Sequence, residues 1–114
     1  MITIEKLRNY GADVDDGLRR CFNAEDFYLE LVKSVVPDTR IDALDAAINA
    51  NDLDTAFELA HALKGMYGNL SLTPLCEPVI EITELLRNRT ETDYSSLMER
   101  IKAERDRFVA LNND

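Results

Sequence analysis

The chain has 114 residues, the size of one ordinary domain, and it is 46% hydrophobic and 31% charged, too apolar for a disordered chain. Its 13 basic residues against 22 acidic ones give a net charge of −9, which argues against nucleic acid or an anionic membrane as partner, since both need a basic face. Four Gly and three Pro are few for a turn-rich β architecture.

The hydrophobic pattern is helical nearly throughout. A first short helix is expected at about Ile4 to Tyr10, with Thr3 as cap and Gly11 as stop. A second short piece, about Val14 to Phe22, follows Asp13. Asn23 is expected to cap a helix from about Ala24 to Val36, whose acidic first turn suits the positive end of the helix dipole. Pro37 ends it, and Asp38 is expected to cap the next helix, about Thr39 to Ala50. Asn51 and Asp52 break the pattern before a long helix from about Leu53 to Leu70. Ser71 to Pro74 is a second break, with Thr73 as cap and Pro74 in the first turn. The next helix reaches about Arg87. Pro78 either marks a later start near Glu77 or kinks it. After a loop at Asn88 to Thr92, Asp93 is expected to cap a last helix, about Tyr94 to Leu111. Short connections make neighbours antiparallel. The expected fold is an all-α, antiparallel up-down four-helix bundle preceded by one or two short helices, in one domain over 1–114 with its bundle core at about 23–112.

No uncharged stretch reaches the about 18–20 residues of a membrane helix, the longest being Gly65 to Cys76. The N-terminus lacks the form of a signal peptide. Cys21 and Cys76 show no framework spacing and are expected as reduced thiols in a cytoplasm. The triplets Asn69-Leu70-Ser71 and Asn88-Arg89-Thr90 then match a glycosylation pattern by chance. Asp13 to Gly17 fails as a calcium loop, because Gly17 at position six puts Val14 at three. One His and two distant Cys make no zinc site. No phosphate-cradling loop or serine-nucleophile motif is present, so ATP binding and kinase activity are not expected.

The segment Ala56 to Leu70 departs from the ordinary amphipathic pattern. With Leu63 taken as the core direction, Ala56, Leu59, Ala60, Met66, Tyr67 and Leu70 fall within about 60° of it at about 100° per residue. The opposite pole carries Asp54, Glu58, His61, Gly65 and Gly68, with Lys64 on the flank one turn beyond His61. Each interior glycine costs about 1 kcal/mol relative to Ala. Glycines four and seven residues after a histidine leave one side of its ring bare and open to a large partner. Close packing against another helix is the alternative use of such glycines, although these two face away from the expected core.

The run Ala60-His61-Ala62-Leu63-Lys64-Gly65-Met66-Tyr67-Gly68-Asn69-Leu70 resembles the signature of histidine-containing phosphotransfer (HPt) domains of bacterial phosphorelays: a His, a Lys three later, a Gly four later and a small residue at seven. In looser form the resemblance extends from about Gly17 to Leu111. It implies that His61 accepts a phosphoryl group from the aspartyl phosphate of a response-regulator receiver domain and passes it to another receiver. An imidazole suits this, being nucleophilic when neutral and having an ordinary pKa of about 6.5. Lys64 would steady the phosphoryl oxygens as a compact cation. Gly65 and Gly68 would keep the approach clear. Phe57 would either dock the partner or fill a helix seam, and Glu58 would either orient His61 or remain a solvated acid. The resemblance further implies a cytoplasmic, monomeric phosphocarrier without kinase activity. Receivers and a sensor or hybrid histidine kinase would be its partners, and it would hold no cofactor of its own, the metal ion sitting on the receiver. The alternative is a module of the same fold that docks a receiver without taking its phosphoryl group. The short, linker-free ends favour a stand-alone protein. One departure from the family pattern is Ser71 where a Gly is common; Ser71 is expected to cap the following element instead.

Overall fold

The computed structural model describes residues 1–113. Seven helices follow one another: α1 (Ile4–Tyr10), α2 (Val14–Arg20), α3 (Glu25–Lys33), α4 (Arg40–Asn49), α5 (Leu53–Asn69), α6 (Thr73–Arg87) and α7 (Ser95–Ala110). No strand occurs among the described residues. Helices α4 to α7 form an antiparallel four-helix bundle, and the ties between them fix its direction. Lys64 of α5 meets Cys76 of α6, while Asp54, ten residues earlier in α5, meets Arg89 beyond the end of α6. Asp42 and Asp45 of α4 bind Arg105 and Lys102 of α7, again in reverse order. Between the helices lies a continuous core that includes Leu44, Ala56, Ala60, Leu63, Tyr67, Leu75, Val79, Ile82, Leu86, Ile101 and Phe108.

The helix starts follow side-chain chemistry. Thr3 accepts the Lys6 amide, Asp13 the Asp16 amide and Asp52 the Thr55 amide, each satisfying a donor that the first turn leaves open. Asp38 accepts the Arg40 amide and Asp93 the Ser95 amide. Three expected details differ. Asn23 does not cap α3: it lies in the left-handed region at φ 57°, and Ala24 precedes the helix without a side-chain bond. Thr73 opens α6 instead of capping it, and the helix runs through Pro78, whose missing N–H leaves the Pro74 carbonyl without its usual partner. Helix α3 stops at Lys33, because Val35, Val36 and Asp38 close tight turns onto residues three earlier before Pro37 can be reached in helical form. Three short helices therefore precede the bundle.

The helix ends share one device. At the close of α1, α4, α5 and α6 one residue with positive φ, and at the close of α2 two in succession, let the following amides turn back onto the last carbonyls. Glycine holds such a position only at Gly11; Phe22, Asn23, Asn51, Ser71 and Arg89 hold the others at φ between 48° and 58°.

Helices α1 to α3 close the end of the bundle where α5 and α7 finish. The Lys6 ammonium donates to the carbonyls of Leu111 and Asn113, and Tyr10 packs edge-on against Phe108 at 6.0 Å. Tyr28, fully buried, donates to the Leu70 carbonyl at 2.8 Å. Gly17 makes that possible, because a Cβ there would stand 2.5 Å from the Tyr28 ring.

Candidate functional site

Helix α5 presents two faces, as its periodicity predicts. Ala56, Ala60, Leu63, Tyr67 and Leu70 are buried, and Leu59 and Met66 are half-buried beside them. His61 stands midway along the helix and is exposed, with no hydrogen bond to its ring among the described residues. Gly65 and Gly68 follow it on the same side. A Cβ built on either glycine meets nothing within 4 Å, so neither is there to admit a neighbouring helix. The close-packing use of these glycines is thereby removed. Lys64 is half-buried along its stem, and its ammonium has no ion-pair partner among the described residues. Its backbone carbonyl accepts the Cys76 thiol at 3.8 Å, which ties this turn of α5 to α6. Burial pushes the Cys76 thiol pKa up, with the nearby Lys64 charge opposing the shift.

The acid and the aromatic that precede the histidine on α5 differ in their surroundings. Glu58 is exposed and makes no hydrogen bond or ion pair among the described residues. Phe57 is half-buried against the core, and its ring stacks on His61 with centroids 5.7 Å apart and an interplanar angle of 24°. The guanidinium groups of Arg87 and Arg89 each lie 5.1 Å from the Phe57 centroid. Phe57 therefore fills the seam between α5 and the end of α6 and carries the histidine ring as well.

One residue of this face escapes the sequence pattern of α5 alone. Ile80 of α6 is 44% exposed and borders a shallow recess of about 190 Å³ together with Gly68, Cys76 and Glu77. An exposed isoleucine one turn beyond Cys76, off the stripe Leu75, Val79, Ile82 and Leu86, is the signal that marks it in the sequence.

Ser71 does not cap the following helix. It holds the left-handed position after α5 at φ 55°, which explains why a glycine suits the place. Its hydroxyl donates to Asp16 at 2.6 Å, and its carbonyl accepts the Asp13 amide at 2.9 Å. The Ser71 hydroxyl, with Arg20 beside it, holds the Asp16 carboxyl down at about 2.

Residues 36–111, more than half of the chain and including all of α4 to α7, match the family model described as Hpt domain. No curated protein and no solved structure matches the chain. The matched span, the four-helix bundle and the exposed histidine midway along its second helix agree, and the chain belongs to the Hpt domain family.

Proposed function

We propose that this chain is a phosphocarrier of a two-component phosphorelay in which His61 takes a phosphoryl group from the aspartyl phosphate of one receiver domain and yields it to another. A single observation carries the reading. Beyond the exposed His61, the same side of α5 carries Gly65 and then Gly68, and a Cβ added at either would meet nothing within 4 Å. A helix gives up about 1 kcal/mol at each such glycine, and a solvated face gains nothing in return. A large partner that must bring its own acidic pocket to the imidazole gains access.

In the proposed step the lone pair of the unprotonated ring nitrogen forms the P–N bond. The P–O bond to the aspartyl carboxylate breaks, and its electron pair leaves with the carboxylate. The return step reverses this. The charge of the transferring group spreads over its oxygens, so positioning and nearby cations do most of the work. Lys64, one turn from His61 and with no competing ion pair among the described residues, fits the role of that cation. Ile80 and the shallow recess beside Gly68 offer the receiver an apolar contact. No described helix is long and apolar enough to cross a membrane. The reading takes the chain as one monomeric domain of the cytoplasm, fed through receivers by a sensor or hybrid histidine kinase, without kinase activity or a cofactor of its own.

The test is transfer from phosphorylated receiver domains of the source organism, comparing the wild type with His61→Gln. Acid-labile, base-stable label on the wild type alone is the expected result. Absence of label with every receiver would overturn the reading in favour of a module that docks receivers without taking the phosphoryl group.

A further inference from the structure

His61 is exposed, and no hydrogen bond holds its ring among the described residues. A nucleophile of that kind needs something else to fix its direction. In a helix, side chains lean toward the N-terminus, over the turn that precedes them. The residue four before His61 is Phe57, and the two rings stack at 5.7 Å and 24°, within the range of an offset aromatic pair. The contact lies on the side of His61 away from Gly65 and Gly68, where an added Cβ meets nothing within 4 Å.

Phe57 is itself held in place. Arg87, in the last turn of α6, and Arg89, just beyond it, each bring a guanidinium to 5.1 Å from the ring centroid, inside the distance at which a cation is attracted to an aromatic face. Neither arginine is loose. Arg89 donates to Asp54 at 2.7 Å and to the Leu86 carbonyl at 2.6 Å, and its backbone holds the left-handed turn that ends α6. Arg87 reaches Glu84 at 3.4 Å. The chain of contacts runs from the end of α6, through the arginines and Phe57, to the imidazole.

We propose that Phe57 is a positioning residue for His61, clamped by Arg87 and Arg89 so that the imidazole is held in one orientation beside the open glycine face. The inference rests on the phosphocarrier reading and deepens it, because it assigns to this aromatic ring the orientation of the acceptor in place of docking. A flat ring is required: an aliphatic side chain of similar volume fills the seam but offers no face to stack on. Selecting one orientation of a mobile ring by a stack of this kind corresponds to about threefold to tenfold in population.

The test uses the full chain and three variants. Phe57→Leu keeps the apolar volume, Phe57→Tyr keeps the face, and the double variant Arg87→Gln/Arg89→Gln removes the clamp. Because the chain contains a single histidine, its two carbon-bound ring protons are identified without ambiguity by NMR. In the wild type and in Phe57→Tyr these signals should be displaced by the Phe57 ring current; in Phe57→Leu they should move to the values of free histidine, while circular dichroism shows the fold intact. Transfer from a phosphorylated receiver should show a maximum rate about threefold to tenfold lower in Phe57→Leu at unchanged KM, with Phe57→Tyr close to wild type and the arginine double variant in between. Undisplaced signals in the wild type would overturn the stack. A Phe57→Leu loss confined to KM would overturn positioning and return Phe57 to docking. A wild type that takes no label, with the ring-current displacement present, would overturn the carrier reading itself and the positioning role with it, leaving only the stack.

Discussion

Replacing Gly65 and Gly68 by alanine should make the protein more stable, and replacing them by larger residues should close the site. At both positions an added Cβ meets nothing within 4 Å, so there is no clash to subtract from the gain in helix propensity. That gain is about 1 kcal/mol for each Gly→Ala change inside a helix. The two methyl groups share no partner, so the double variant should gain about 2 kcal/mol. An unfolding entropy of about 2.1 cal/mol/K per residue gives about 0.24 kcal/mol/K for this chain of 114 residues, and the melting temperature should rise by about 8 °C. Urea unfolding followed by circular dichroism measures the first effect. The second is read from two phosphoryl donors of very different size. Gly65→Gln and Gly68→Gln should slow transfer from a receiver domain by about tenfold or more, yet leave labelling by phosphoramidate, a donor of a few atoms, within about twofold of wild type. Alanine variants that melt at or below the wild-type temperature would refute the claim that these positions face open space. Glutamine variants that accept from receivers at the wild-type rate would refute access as the reason for the glycines.

Two further outcomes follow from the ends of α2 and α5. Phe22 is 88% exposed and sits at φ 58°, a conformation that costs an L side chain about 1–2 kcal/mol, so Phe22→Gly should raise stability by about 1 kcal/mol and the melting temperature by about 4 °C; a fall on thermal unfolding would mean that the side chain packs in a way its exposure denies. Asp16 titrates at about 2 in the folded chain, against an ordinary value of about 3.9, so its contribution is complete above about pH 4 and is lost as the pH falls toward 2. Urea midpoints between pH 2 and 5 should therefore fall less steeply for Asp16→Asn than for wild type, some slope remaining from Asp38, Asp52 and Asp93, whose carboxyls are also held low; an unchanged slope would refute the linkage.

The elements that sequence logic places best are those whose signals are local. Thr3 and Gly11 bracket α1 as expected, and the phase of α5 follows from spacing alone, which puts Leu63 inside and His61 outside. Five helices end within a residue of the expected position, whereas α2 and α3 end two and three residues early, and the conformation of the stops is less legible than their place. Apart from Gly11, the left-handed positions are occupied by Phe22, Asn23, Asn51, Ser71 and Arg89, none of them a glycine, at turns closed by backbone bonds. Ser71 is legible as a departure from the family pattern, but its true partner, Asp16, lies 55 residues away. The stack of Phe57 on His61 has the right spacing in the sequence, four residues apart on a helix. The arginines that hold it come from the far end of another helix and could be found only from the fold. Gly17 is legible only once Tyr28 is seen against it.

The glycine distribution and the N-terminal helices belong to one argument. Two glycines weaken the last turns of α5, and the residues there must still hold a fixed geometry. The structure answers by fixing the helix on either side of them. At its start Asp52 accepts both the amide and the hydroxyl of Thr55. At Lys64 the carbonyl is tied to Cys76 of α6. At its end the Leu70 carbonyl takes the Tyr28 hydroxyl, Ser71 donates to Asp16, and the Ser71 carbonyl takes the Asp13 amide. The last three partners come from α2, α3 and the turn before α2, which lie before the span that matches the family model. These N-terminal helices reach the face that carries His61 at the recess beside Gly68, which Asp13 and Asp16 also line. They satisfy carbonyls that a helix end leaves open and anchor α5 one turn beyond Gly68. Fixing the helix at both ends is what lets its last turns carry two glycines without fraying, and this is the physical link between a segment outside the matched span and the site inside it.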